Sequence, residues 1–297
     1  MLLAVHVSDG VLTGPTQAGG FALAAGLVAW SARRVSDEEI PRIALLSAAF
    51  FVASLIHVPA GVVKVHLLLN GLMGVVLGRR AVLAVAVGLT LQAFLIGHGG
   101  TAALGVNVCV MALPALAAGG LFALVSSVVR RSPVLRRLVV VFGFGLWLFA
   151  AFVGVELLPR SAGDGLVAPD PLLAAYAALS PVPLAAMLLL AVLAALFESR
   201  LETAPDFPLG LLVGEAAVLL TVGLNYVALR YGSLPGVEPV TGLVLVLHLP
   251  VAAVEGLILG FTVPYLMRVR PDLLHARRAA SGCAEGEQLV ERDLPLP

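Results

Sequence analysis

Charge is what this chain has least of. Asp, Glu, Lys and Arg make up 12% of its 297 residues, where a soluble domain carries roughly 25%. The 18 basic and 18 acidic residues cancel, which removes the general electrostatic case for a nucleic-acid or acidic partner. Cysteine is nearly absent: Cys109 stands in an apolar run and Cys283 in a polar tail. Neither has metal-site spacing, and no disulfide is expected between them. There is no glycine-rich phosphate loop, no HExxH and no nucleophile arrangement. The chain is therefore expected not to be an enzyme, and not to hydrolyse ATP itself. No basic stretch followed by an apolar core precedes His6, so no cleavable leader is expected.

What fills the space is apolar. Hydrophobic residues make up 60% of the chain and the mean hydropathy is +1.04. The apolar runs are continuous rather than alternating, which predicts helices crossing a membrane and not a barrel. The runs cover about 14–31, 43–56, 66–78, 81–97, 101–129, 138–158, 172–197, 208–229 and 240–266. The expected fold is all-α, a polytopic membrane protein of nine crossings. The count falls to seven or eight if the third run is re-entrant, since a perpendicular crossing needs ~20 residues. Residues 1–270 read as one transmembrane domain led by a short segment, 1–13, and residues 271–297 as a polar cytoplasmic tail. With nine crossings and the N-terminus outside, 15 of the 18 Lys and Arg fall in inner loops. That is the expected bias, and it places the C-terminus inside.

The polar residues that remain inside this apolar chain are few. His57 and His66 flank a Pro-Ala-Gly turn in residues 56–78, IHVPAGVVKVHLLLNGLMGVVLG. Imidazole at membrane depth reads by default as part of a site; the alternative is a helix end capped in the headgroup region. In the nine-crossing arrangement His6, His57, His66 and His98 share the outer side. A receptor for something arriving from outside would be built that way. Glu156, Glu215, His248 and Glu255 lie in or at the ends of later runs and read as interhelical or interfacial hydrogen-bonding groups rather than ligands.

Three stretches carry a resemblance. Residues 57–78 with 91–114 (LQAFLIGHGGTAALGVNVCVMALP), residues 5–12 (VHVSDGVL) and residues 254–274 (VEGLILGFTVPYLMRVRPDLL) together resemble the CbiM/NikM family. These are the substrate-capture subunits of energy-coupling-factor cobalt and nickel transporters. The middle of the chain, about 130–240, matches only in being apolar.

The resemblance implies a subunit that captures cobalt(II) or nickel(II) as transported substrate, with no organic cofactor. It implies partners: a transmembrane coupling subunit, ABC ATPase subunits and a small accessory membrane subunit. It also implies a place in the cell's inner membrane. In the family, the terminal amine, the first amide, the imidazole of residue two and a membrane histidine hold the metal. These fall on the backbone of Val5, on His6 and on His66. Asp9 is a candidate acceptor orienting an imidazole, with a helix N-cap as its alternative. His57 is a candidate extra ligand or orienting residue, with a structural role beside Pro59 as its alternative. Gly97 to Gly100 would let the N-terminal segment fold in, or form a plain loop. Because the family's histidine stands second and this one sixth, the expectation is a native start at Val5, from a GTG codon read as methionine.

A stand-alone secondary metal-ion transporter is the alternative. It would usually show internal repeats and paired midplane acids, neither of which is evident. The loop charges predict that a cysteine beside Arg79 is labelled only from the cytoplasm and one near Gly163 only from outside. The opposite labelling pattern would reverse the orientation.

Overall fold

In the computed structural model, the described residues are 6–56, 58–60, 63–129, 206–235 and 248–274, with scattered positions between 132 and 145 and at 244. The expected runs at 138–158 and 172–197, and the tail beyond 274, lie wholly or mostly outside them. Seven helices are described: α1 (Gly14–Ala32), α2 (Ile40–Leu55), α3 (Asn70–Leu77), α4 (Ala81–Ile96), α5 (Leu104–Val129), α6 (Phe207–Gly232) and α7 (Leu249–Val269). Four of them carry proline in the first turn, at Pro15, Pro41, Pro208 and Pro250. Proline is pre-set for the helix there and its missing N–H costs nothing.

The expectation of an all-helical chain needs one amendment. The Pro-Ala-Gly turn becomes a small antiparallel hairpin, β1 (Val58–Ala60) with β2 (Val63–Val65), in which Val58 faces Val65 and Ala60 faces Val63. In a two-stranded ribbon each strand is an edge, so Pro59 can stand in β1 without breaking an interior ladder.

The short third run is a broken passage. By length and apolarity alone, Asn70–Ile96 would pass as one span of 27 residues, about 40 Å if straight. Yet the rings of His66 and His98, which bracket that stretch, lie 5.6 Å apart, so the chain must reverse between them. It does so at Gly78, where φ is +54° and ψ −126°, a backbone that only glycine adopts readily. A single 3-10 turn, Gly78–Arg80, then starts α4. Residues 66–69 run without helix before the eight residues of α3. Extended chain rises about twice as far per residue as helix, so 13 residues match the reach of α4.

The reversal is fastened at its far end by Arg80, which is buried. Its guanidinium donates to the carbonyls of Ser31, Arg33 and Arg34, which lie at the end of α1, and to both carboxylate oxygens of Glu39 at 2.9 and 3.1 Å. A cation there meets the negative end of the α1 dipole and its orphan carbonyls. The Arg80 hydrogen bond holds the Glu39 carboxyl below its ordinary range. Arg42 reaches Asp272 at 3.8 Å at this same end. His6, His66 and His98 gather at the other.

Glycine seams bring the helices close, as expected where lipid supplies no hydrophobic drive between them. Gly210 and Gly214 of α6 lie against Gly260 and Gly256 of α7, which fixes the two helices antiparallel. Gly74 of α3 lies on the backbone of Ala115 and Gly119 of α5, and a Cβ there would overlap the Ala115 carbonyl. Gly74→Ala should therefore destabilise the protein by about 1–3 kcal/mol, as overpacking does. Gly26→Ala, which would meet nothing within 4 Å, should leave stability unchanged or raise it by up to about 1 kcal/mol, as Ala for Gly does inside a helix. Thermal unfolding of the two variants in detergent measures the difference.

Candidate metal centre

Residues 6–13 are tied down by neighbours far away in sequence. Asn107 of α5 accepts from the Val7 amide at 2.8 Å and donates to the carbonyls of Val7 at 2.9 Å and Gly99 at 2.7 Å. One amide side chain thus joins the N-terminal segment to the loop between α4 and α5. Beyond it, Thr13 N–H donates to Gly232 O at 2.9 Å and Leu234 N–H to Val11 O at 2.8 Å, fixing the segment to the end of α6.

Asp9 follows the helix-cap alternative. Its carboxylate accepts from the amides of Thr101, Ala102 and Ala103 at 2.8 to 3.1 Å, the orphan donors ahead of α5. Gly100, at φ +67°, leaves the room for this approach, because a Cβ there would overlap the Asp9 carboxylate. The loop glycines do make space for the N-terminal segment.

His98 is delivered by the end of α4. Gly97 takes the left-handed conformation at φ +63°, and the His98 N–H donates to Gln92 O at 3.0 Å. This bond closes the helix end and turns the chain. His66 arrives on the non-helical stretch before α3. That stretch is held from the opposite side of the bundle by Glu255 of α7, whose Oε1 accepts from the Leu68 and Leu69 amides at 2.5 and 2.8 Å. Leu69 sits at φ +50°, and Glu255 is the buried interhelical acceptor the sequence indicates.

These supports bring three imidazoles together. Ring centroids lie 4.9 Å apart for His6 and His66, 5.0 Å for His6 and His98, and 5.6 Å for His66 and His98. One nitrogen from each lies within 4.8 Å of the others. His6 and His66 are buried. His66 Nδ1 stands 2.8 Å from the carbonyl of Leu67. A carbonyl only accepts, so Nδ1 carries the proton and Nε2 is left with its lone pair. This is the tautomer that metal-bound histidines adopt. Nitrogens on one ion, at about 2.0–2.1 Å each, lie no more than about 4.2 Å apart, so small ring rotations would close the set.

Of the expected site residues, the structure brings His6 and His66 together, while Val5 and His57 lie outside the described residues. The sequence reading missed His98 as a member of the cluster. The signal was present in Gly-His-Gly-Gly directly after an apolar run, on the side shared with His6. It was read there as space for a neighbour and not as a donor.

Comparison with known proteins places the sequence in a family. The sequence matches the family described as the cobalt uptake substrate-specific transmembrane region, CbiM, over residues 6–198 and 181–273. A protein of Haemophilus influenzae named for metal transport is 48% identical over 118 residues, 40% of this chain and 57% of its own length. A fused nickel transport protein, NikMN, of Archaeoglobus fulgidus is 28% identical over 179 residues, 59% of this chain and 60% of its own. A metal transport protein of Haloquadratum walsbyi is 34% identical over 126 residues. This chain thus spans less than two thirds of the length of these curated relatives. A solved structure, of a truncated transition metal transporter, aligns with 88% of this chain and 98% of its own at 19% identity, with a TM-score of 0.48. The match runs across the whole helical region, from His6 past α7, and the chain belongs to the CbiM family of membrane metal-transport proteins.

Proposed function

We propose that this chain is the substrate-capture subunit of an energy-coupling-factor transporter, importing cobalt(II) or nickel(II) across the inner membrane. The observation that carries the reading is the convergence of His6, His66 and His98 from three separate stretches onto one point. Neutral imidazole suits the late divalent metals, cobalt and nickel among them. The backbone nitrogens of Val5 and His6 would complete the set as the family resemblance implies, and His57 would stand by as an orienting residue. The histidine end would face outside and the arginine end the cytoplasm, as the loop charges favour. Having no nucleotide-binding loop in its sequence, the chain would draw energy from ABC ATPase partners through a transmembrane coupling subunit.

Each imidazole must shed its proton to bind, so capture follows the neutral form. Affinity for nickel(II) should therefore fall as the pH is lowered. A pH series of equilibrium titrations would show this, and affinity that rises toward acid would overturn a site built of nitrogen donors.

His66→Ala and His98→Ala should each weaken cobalt(II) or nickel(II) binding by about 100-fold or more, since losing a ligand costs at least what losing a group that orients one does. Unfolding temperature should stay within a few degrees, since each change removes a donor and not a packed core. Isothermal titration on purified protein measures the loss. Unchanged affinity in both variants would overturn the capture reading. Uptake into proteoliposomes that needs ATP and the partner subunits separates this reading from a transporter running alone on an ion gradient.

A further inference from the structure

A fourth imidazole stands apart from the cluster and has one nitrogen unaccounted for. His248 opens α7, is 1% exposed, and its Nδ1 lies 2.7 Å from the carbonyl of Val244. As at His66, a carbonyl partner requires the proton to be on Nδ1, so Nε2 keeps its lone pair. That Nε2 is buried and has no hydrogen-bond partner among the described residues. A buried acceptor left in this state loses the water it would otherwise bond, at a cost of about 1–3 kcal/mol.

Two further observations place this nitrogen beside a route and not in a plain helix cap. First, His248 and Glu255 are seven residues apart on α7, two turns, and so share a face. Glu255 grips the amides of Leu68 and Leu69, which directs that face at the stretch carrying His66. Second, the register of the glycine seam, Gly210 with Gly260 and Gly214 with Gly256, puts Asn225 of α6 within about a turn of the level of His248. Asn225 is fully buried, and among the described residues neither its carbonyl oxygen nor its amide nitrogen has a hydrogen-bond partner. Nearer the arginine end, the buried Oε2 of Glu215, whose side chain lies against Gly256, is also without one. Unsatisfied polar atoms are few in native proteins, and each calls for an explanation such as an ion that passes through.

We propose that Nε2 of His248, flanked by the side-chain oxygen of Asn225, is a second binding station for the divalent cation, taken up after the His6–His66–His98 cluster releases it inward. The proposal rests on the capture reading above. Because a dication at one position opposes a dication at the other, the two stations hold one ion in turn and do not fill together. His66 and Glu255 link them: the stretch that carries a capture ligand is held from the helix that carries the next one.

The test uses full-length purified protein and cobalt(II), whose visible spectrum reports nitrogen ligation. His66→Ala/His98→Ala should lose tight binding and keep one cobalt(II) site about 100-fold weaker or more. Adding His248→Asn should abolish that residual site. Asparagine retains a donor for the Val244 carbonyl while removing the Nε2 ligand, so a merely structural role for His248 would be rescued by it and the weak site would survive. In the otherwise native protein, His248→Asn should leave tight capture within about 3-fold. A residual site indifferent to His248→Asn, or no residual site in His66→Ala/His98→Ala, overturns the second station. Tight binding that persists in His66→Ala/His98→Ala overturns the capture reading instead.

Discussion

The histidine cluster depends on how the first dozen residues are held against the bundle. A segment that approaches buried positions must have its backbone hydrogen bonds met there, or it stays in water. Asn107 meets them at Val7, the end of α6 meets them at Val11 and Thr13, and Asp9 repays the contact by capping α5. The exchange is mutual. The N-terminal segment completes the start of α5, and α5 gives the segment its place. Because the partners are backbone groups rather than charges alone, the position of His6 is fixed in register as well as in direction.

The opposite end of the bundle solves a similar problem with different chemistry. There Arg80 gathers the last carbonyls of α1 and the carboxylate of Glu39. The reversal at Gly78 makes this possible, since it places Arg80 directly beneath the end of α1. A continuous helix through residue 78 would carry Arg80 past that pocket and His98 away from His66. One glycine therefore sets the positions of two distant side chains at opposite ends.

Much of this was legible in the sequence. Composition alone marks a helical membrane protein, the runs at 14–31 and 81–97 coincide closely with α1 and α4, and the run at 101–129 starts three residues ahead of α5. The 13-residue run is too short for a perpendicular crossing, which leaves a partly broken helix or a re-entrant segment, and the structure shows a non-helical stretch followed by a short helix. His6 and His66 could be named through the family resemblance. His98 could not, because the spacing of 32 residues from His66 carries no periodic signal. Only the folded-back path of α3 and α4 converts it into proximity. Asp9 illustrates a different limit. A carboxylate near an imidazole and one near a helix start read alike in sequence, and the choice depends on where α5 begins relative to Gly100. The hairpin at 58–65 was hidden because a two-stranded ribbon of three residues each is too short to show alternation.

The grip of Glu255 on Leu68 and Leu69 has a consequence for how the protein is made. The three clustered histidines are all synthesised within the first 98 residues, yet the stretch bearing His66 is fastened by a residue that leaves the ribosome more than 150 residues later. Until α7 is inserted, the amides of Leu68 and Leu69 lack their acceptor, and His66 has no fixed address. The chain's order of synthesis and the site's order of assembly therefore run out of step. The last of the described helices closes a centre whose histidines were all synthesised long before it.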